Sequence, residues 1–337
     1  MTSLLDFYTK HGISPVKQDI TDLPAHFARR AALYRSLGLP PMAIRDKWVL
    51  EIGAGSGDNA LYTDTLEPEQ YVILEPNPSG ASDIRGRGIG AQVIEETVEE
   101  FVCGYSFEVV LCEGLLGLCG TDPHALLEAV ASHVAPGGVL VITCIDAISD
   151  HAEVLRRAMA QRLIDRSASL ADQVATLRPV FAPHLATLKG MTRSVDDWII
   201  DNLLNPASIG PTFSIPEACA ALDGRFDVLG CSPRFLMDWR WYKASEPGNA
   251  WAIASYWQQA HNLYDYRCVK PHWSDDRVLI RDANKELMQE CQRFRDQLQA
   301  YEAGDCEYPT LAPWMVTPLQ PESWFGRGQQ YLSFVRT

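Results

Sequence analysis

Residues 49–61 read VLEIGAGSGDNAL: a short apolar run that carries an acid at Glu51, then Gly53, Gly55 and Gly57 ahead of a helical stretch. Glycines in this arrangement let the backbone turn sharply and approach a ligand more closely than any residue with a side chain allows. A dinucleotide fingerprint, G-x-G-x-x-G, would put a third glycine where this chain has Asp58. A carboxylate suits a pyrophosphate badly. Glu51 adds further negative charge at the end of the run. The loop therefore calls for a ligand that brings positive charge.

Outward from this loop the texture repeats. From Lys47 onward the runs WVLEIG, YVILEP, AQVIE, FEVVLCEG and GVLVITC are separated by helical stretches. That alternation predicts a parallel sheet with helices on both faces. Such sheets bind ligands outside the carboxyl ends of their strands, so the loops after these runs are the candidate site. Glu75 closes the second run about 20 residues beyond the glycines, where an acid can accept hydrogen bonds from ribose hydroxyls. Later, SIPEACAALDGRFDVLG reads as a Ser-capped helix, a turn and another strand, and QQYLSFVR alternates like a last strand.

EIGAGSG matches in full the first motif of the class I S-adenosylmethionine (SAM)-dependent methyltransferases, an acid, one spacer and G-x-G-x-G. The chain resembles that family over about residues 47–146, and more weakly over 214–243 and the last dozen residues, with HVAPGGVLVIT similar to its helix, Pro-Gly-Gly turn and fifth strand. The resemblance implies a Rossmann-like, doubly wound, mostly parallel α/β sheet. It also implies SAM as cofactor, whose ammonium and sulfonium fit the charge of the loop. On this likeness the cofactor contacts are Glu51, Gly53, Ala54, Gly55 and Gly57, then Glu75 and Pro76 at the ribose. Glu96, Thr97 and Val98 would lie near the adenine, and Cys112 and Gly114 near the methionine part.

Methyl transfer from a sulfonium depends mainly on geometry, and a general base is needed only for a protic acceptor. Glu113, just past the fourth run, is the leading catalytic candidate, either orienting the cofactor or taking a substrate proton. His11, in YTKHG, is a second candidate base on a segment that could fold over the cofactor as a lid. Asp146 reads as a helix cap before it reads as a substrate ligand, and Arg29 and Arg30 read as solvated charge on a helix.

The expected organisation is a helical cap at 1–46, a SAM-binding core at 47–148, and a helical insertion serving as substrate lid at 149–213. The chain then returns to the sheet at 214–244, inserts a second helical segment at 245–324, and ends on a last core strand at 325–337. The first insertion is expected to be helical until Pro179. In the second, Leu287, Cys291, Phe294, Leu298 and Tyr301 form one apolar stripe, which suits core packing better than a homodimer helix. Eight of the nine tryptophans lie between Trp198 and Trp324, which points to the insertions as the place of substrate recognition.

Composition narrows the partners. A net charge of -14 would repel phosphate backbones, which argues against nucleic acid and leaves a small molecule as the expected substrate. No apolar run reaches the roughly 20 residues of a spanning helix, and MTSLLDFYTKHG lacks a signal-peptide layout, so a cytoplasmic location is expected. The nine cysteines include no C-x-x-C pair, and no His and carboxylate cluster has ligand spacing, so no metal is expected. Two other functions fit less well: a SAM-binding scaffold or sensor without turnover, and an NAD-dependent oxidoreductase that would need glycine at Asp58.

Overall fold

The computed structural model describes residues 4–13, 17–117, 122–188, 191–264, 277–319 and 328–337. Its strands are β1 (Trp48–Ile52), β2 (Gln70–Leu74), β3 (Gln92–Ile94), β4 (Phe107–Cys112), β5 (Val134–Cys144), β6 (Phe226–Ser232) and β7 (Gln330–Arg336). They form one sheet in the order β3-β2-β1-β4-β5-β7-β6. The first five strands pair in parallel and β7 runs antiparallel to both its neighbours. Every run read as a strand from the sequence is one. The order reverses between β1 and β4, which opens the ligand crevice of a doubly wound sheet at their carboxyl ends.

The apolar runs are continuous because both sheet faces are covered. Successive side chains point to opposite faces, so Val49, Ile73, Val109 and Leu111 pack on one side with Tyr34 and Leu37. Leu50, Val72, Val110, Leu140 and Ile142 pack on the other with Leu127 and Ala218. The Pro136-Gly137-Gly138 turn is absorbed into β5 as an irregularity where the β4 register shifts between Phe107 and Val109.

Helices α1 (Leu4–His11) and α2 (Leu23–Ser36) precede the sheet, and α3 (Ala60–Asp64), α4 (Pro78–Gly86) and α5 (Pro123–Ser132) lie between its first five strands. The Asp22 carboxylate accepts a hydrogen bond from Ala25 N–H at 3.0 Å and starts α2, which gives way at Gly38, in the left-handed region with φ 72°.

After β5 come α6 (His151–Leu163), α7 (Leu170–Leu185) and α8 (Val195–Trp198), then a π turn at Ile199–Leu204 and a 3₁₀ turn at Pro206–Ile209. A Ser214/Glu217 capping box opens α9 (Ile215–Leu222), and α10 (Ala250–Gln259) and α11 (Arg277–Ala303) lie between β6 and β7. The expected stop at Pro179 is wrong: α7 continues through Pro179 and Pro183 to Leu185. Leu177, Phe181 and Leu185 bury one face of it in a cluster with Trp198, and this packing outweighs the backbone hydrogen bonds the prolines remove. The stripe on α11 packs inside the chain, with Phe294 and Leu298 against Val154, Leu155 and Ala158 of α6. Among the described residues no helix is long and apolar enough to cross a membrane.

Candidate functional site

Gly53, Gly55 and Gly57 all have positive φ, at 71°, 59° and 78°. A side chain is strained in that region, and at Gly53 a Cβ would also lie 2.8 Å from Leu115. The start of α4 presses on the same loop, since a Cβ on Gly80 would sit 2.8 Å from the Gly55 carbonyl oxygen. Glu75, one residue past β2, ties the loop down. Its Oε2 accepts from Gly55 N–H at 2.7 Å and its Oε1 from Asn77 N–H at 3.0 Å. Burial pushes its carboxyl up to about 7, against the pull of those two backbone amides. A carboxylate offers about four acceptor positions, so two remain for a pair of hydroxyls. A bare-backbone loop beside a buried carboxylate with spare acceptors fits an adenosyl group.

Two further acids form the floor. Glu51 is buried at the end of β1 and accepts a hydrogen bond from the Tyr71 hydroxyl. Burial, with the nearby negative charge of Glu113, lifts its carboxyl to about 7 against the opposing pull of Tyr71 and Arg30. Glu113 follows Cys112, which stands opposite Ile52 in the β1–β4 register, so it is the neighbour of Gly53 across the switch point. Arg30 of α2 grips it with both arms, Nη1 to Oε2 at 2.8 Å and Nη2 to Oε1 at 2.6 Å. Arg30 is 5% exposed and its guanidinium lies 5.0 Å from the centre of the Tyr34 ring. Its reading as solvated charge is therefore corrected: it is a buried partner of the crevice.

Asp58 does not face a ligand. Its carboxylate pairs with Arg87 at 2.5 Å and accepts from Ser56 Oγ and Gln18 N–H, each at 2.8 Å. Its carbonyl accepts from His26 Nε2 at 2.9 Å. Gln18 and Ile13 are tied to the loop region by these contacts, by Gln18 Nε2 donating to Asn59 at 3.2 Å and by Asn77 Nδ2 donating to the Ile13 carbonyl at 3.1 Å.

The other candidates scatter more. Ala54 and Pro76 are half-buried beside the loop, Glu96 is exposed, and Val98 is buried in the core. Thr97 donates from its amide and its hydroxyl to Glu100, at 3.2 and 3.1 Å. Cys112 lies in the core, while Gly114 donates to Thr143 Oγ1 at 2.7 Å, which joins the ends of β4 and β5. His11 is exposed at the end of α1, its ring 4.7 Å from Phe7, and it makes no hydrogen bond to Glu113. Asp146 is a buried cap, accepting from Ile148 and Ser149 amides at 2.9 Å each and from the Tyr256 hydroxyl at 2.8 Å.

A cavity of about 410 Å³ opens at Asp146, between the start of α9 and α11, with Thr212, Ser214, Trp257 and Gln292 in its wall. Of the tryptophans, Trp198 is buried and Trp239 and Trp241 are exposed, while Trp273 and Trp324 lie outside the described residues. Among the described residues no three His, Cys, Asp or Glu side chains are placed to hold a metal ion.

Sequence reasoning missed Arg30, His26 and Arg87. A signal for the first two was present: His26, Arg30 and Tyr34 recur every four residues, and all three are buried on one face of α2.

Residues 25–181 match the family profile described as "Methyltransferase domain". No curated protein matches. Among solved structures, the N-methyltransferase NodS of Bradyrhizobium japonicum with S-adenosyl-L-homocysteine is 18% identical, covering 42% of this chain and 74% of its own at a TM-score of 0.34. SAM-bound CalS10, an amino pentose methyltransferase of Micromonospora echinaspora, is 25% identical, covering 40% and 54% at 0.29. PKMT2 of Rickettsia typhi is 12% identical, covering 93% and 52% at 0.46.

Proposed function

We propose that this chain is a class I SAM-dependent methyltransferase whose acceptor is a small molecule, bound where the helical additions meet the carboxyl end of the sheet. The observation that carries the reading is the glycine loop tied to Glu75, with the acids Glu51 and Glu113 beneath it. When bound, SAM supplies a methyl group on a sulfonium, open to in-line displacement.

The chain's own part is to bind, orient and keep water out. The amides and bare backbone of residues 53–57 take the donor's close approach, and the free acceptor positions of Glu75 take the ribose hydroxyls. Ala54 and Pro76 line the same rim, and Cys112 and Gly114 carry the wall past β4. Glu96, Thr97 and Val98 are assigned to the adenine side. Gln18 and Ile13, bonded to Asp58 and Asn77, help shield the loop from water. Positioning the acceptor atom roughly 3 Å from the methyl carbon is then the main catalytic contribution.

For the acceptor we favour the cavity at Asp146, whose volume of about 410 Å³ lies within the usual range for small-molecule sites. Trp257 gives it an aromatic wall and Thr212, Ser214 and Gln292 give it hydrogen-bonding groups. The segment 149–213 acts as the lid of this reading. His11 is its candidate proton acceptor for a protic substrate. The net charge of -14 keeps nucleic acid out of the proposal.

The test is turnover. With SAM and a fractionated metabolite extract, the chain should form S-adenosylhomocysteine together with a small product one methylene heavier than its precursor. Binding of SAM without turnover in any fraction would support a sensor or scaffold instead.

A further inference from the structure

The cavity at Asp146 carries more negative than positive charge. Asp146, Glu217 and Asp296 line it, and the basic group beside them is Arg293, which is exposed. Among the described residues the hydrogen bonds to these acids come from neutral groups. Asp146 accepts from the amides of Ile148 and Ser149 at 2.9 Å each and from the Tyr256 hydroxyl at 2.8 Å. Glu217 accepts from the Ser214 amide and hydroxyl at 2.7 and 2.5 Å, and Asp296 from the Gln292 side-chain amide at 2.7 Å.

Asp146 weighs most, because it is 1% exposed while Glu217 and Asp296 are open to solvent. A carboxylate offers about four acceptor positions, and three of them are filled here, which leaves one for a donor in the cavity. Burial holds this carboxyl above its ordinary range, against the pull of its three donors. Trp257 stands half-buried in the same wall, its ring edge-on to Tyr256 with centres 5.1 Å apart, so Tyr256 braces both the acid and the indole. Indole is the side-chain ring that attracts a cation most strongly. The exposed Lys285 lies 5.8 Å from its centre, near the outer limit of such a contact. An anionic acceptor would meet three like charges and one arginine, and that mismatch rejects it.

We propose that this cavity selects an acceptor bearing a positively charged nitrogen, with Asp146 receiving its N–H, Trp257 packing beside the charge, and Glu217 and Asp296 drawing it to the mouth. The proposal rests on the placing of the acceptor in this cavity and deepens it by fixing the substrate's charge class: amines, in preference to carboxylic acids, phosphates and uncharged alcohols.

The experiment separates a cell metabolite extract at neutral pH into cation-retained, anion-retained and unretained fractions on ion-exchange resins. The full chain is given SAM with each fraction, and S-adenosylhomocysteine is measured. Its formation should be confined to the cation-retained fraction. With a limiting amount of that fraction, the initial rate should fall roughly tenfold or more in Asp146→Asn, which removes the charge at nearly constant shape. Trp257→Leu should lower it roughly threefold or more. Calorimetric Kd values for S-adenosylhomocysteine should stay within about twofold in both variants. Asp146 also caps the turn before α6, so Trp257→Leu and Glu217→Gln carry the test if Asp146→Asn does not fold. Glutamine keeps the size of Glu217, and its smaller loss should shrink as salt is added.

Turnover of the anion-retained or unretained fraction would overturn the proposal, and so would cation-retained turnover that none of the variants alters. Either result leaves a small-molecule methyltransferase standing. Binding of SAM with no turnover in any fraction defeats the reading on which the proposal rests.

Discussion

The crevice and the helical additions bury the same kinds of charged side chain in different ways. In the additions three buried acids and one half-buried acid each meet an arginine: Glu153 with Arg156, Asp201 with Arg193 and Asp150 with Arg295, and the half-buried Glu302 with Arg157. In the crevice Arg30 takes up Glu113, but Glu51 is held by the Tyr71 hydroxyl and Glu75 by two backbone amides, with no arginine gripping either. Their carboxyls are both lifted to about 7. A fully matched pair organises helices, while an acid left short of positive charge stores an attraction for a cation yet to arrive. The comparison separates charges that hold the structure from charges that wait for a ligand.

The largest effect should come from breaking a matched pair. Arg295 donates to the Gly210 carbonyl at 2.7 Å as well as to Asp150, and Arg295→Met takes the arginine away from a buried carboxylate. We expect a stability loss of about 3–5 kcal/mol in urea unfolding, with SAM affinity of the folded protein almost unchanged. A loss under about 1 kcal/mol would show that this pair does not organise the additions.

Gly55→Val should do the reverse. The left-handed backbone at φ 59° strains a β-branched residue, and the close packing around the loop has no slack. SAM affinity should fall roughly 100-fold, about 2.7 kcal/mol, while the circular dichroism spectrum keeps its shape. Retained affinity would remove the loop from the site. A smaller effect is expected of Glu75→Gln, which keeps the size and loses the charge. A fall in SAM affinity of about tenfold, or about 1.4 kcal/mol, is predicted by calorimetry. An unchanged Kd would break the distinction between waiting and structural acids.

The sheet was legible in the sequence because buried parallel strands leave continuous apolar runs, and the loop because glycine adopts its three successive positive φ values at the least cost. What was not legible depends on partners distant in the chain. Arg30 looks like a surface residue until Glu113, 83 positions on, is folded against it. Asp58 stands where a dinucleotide fingerprint has its third glycine, yet Arg87 and Gln18 take up its carboxylate from α4's end and the N-terminal side. Pro179 signals a stop that the burial of Leu177, Phe181 and Leu185 overrides. Local chemistry names the residue types, but the tertiary partner decides whether a charge is solvated, structural or reserved.

The lifted carboxyls carry a sign that can be worked out. Glu51 and Glu75 move from an ordinary 4.5 to about 7 on folding, so the folded chain holds their protons more tightly than the unfolded one. Their contribution to stability is full below about 4.5 and is lost as pH rises through about 7, the same interval over which the crevice gains its negative charge. Calorimetric titration of the wild-type chain with SAM at pH 5.5 and at pH 8 therefore tests the account directly. One SAM per chain, bound about tenfold or more tightly at pH 8, with no heat from NAD at either pH, is the predicted result. Affinity that does not change with pH, or binding of NAD in place of SAM, would contradict it.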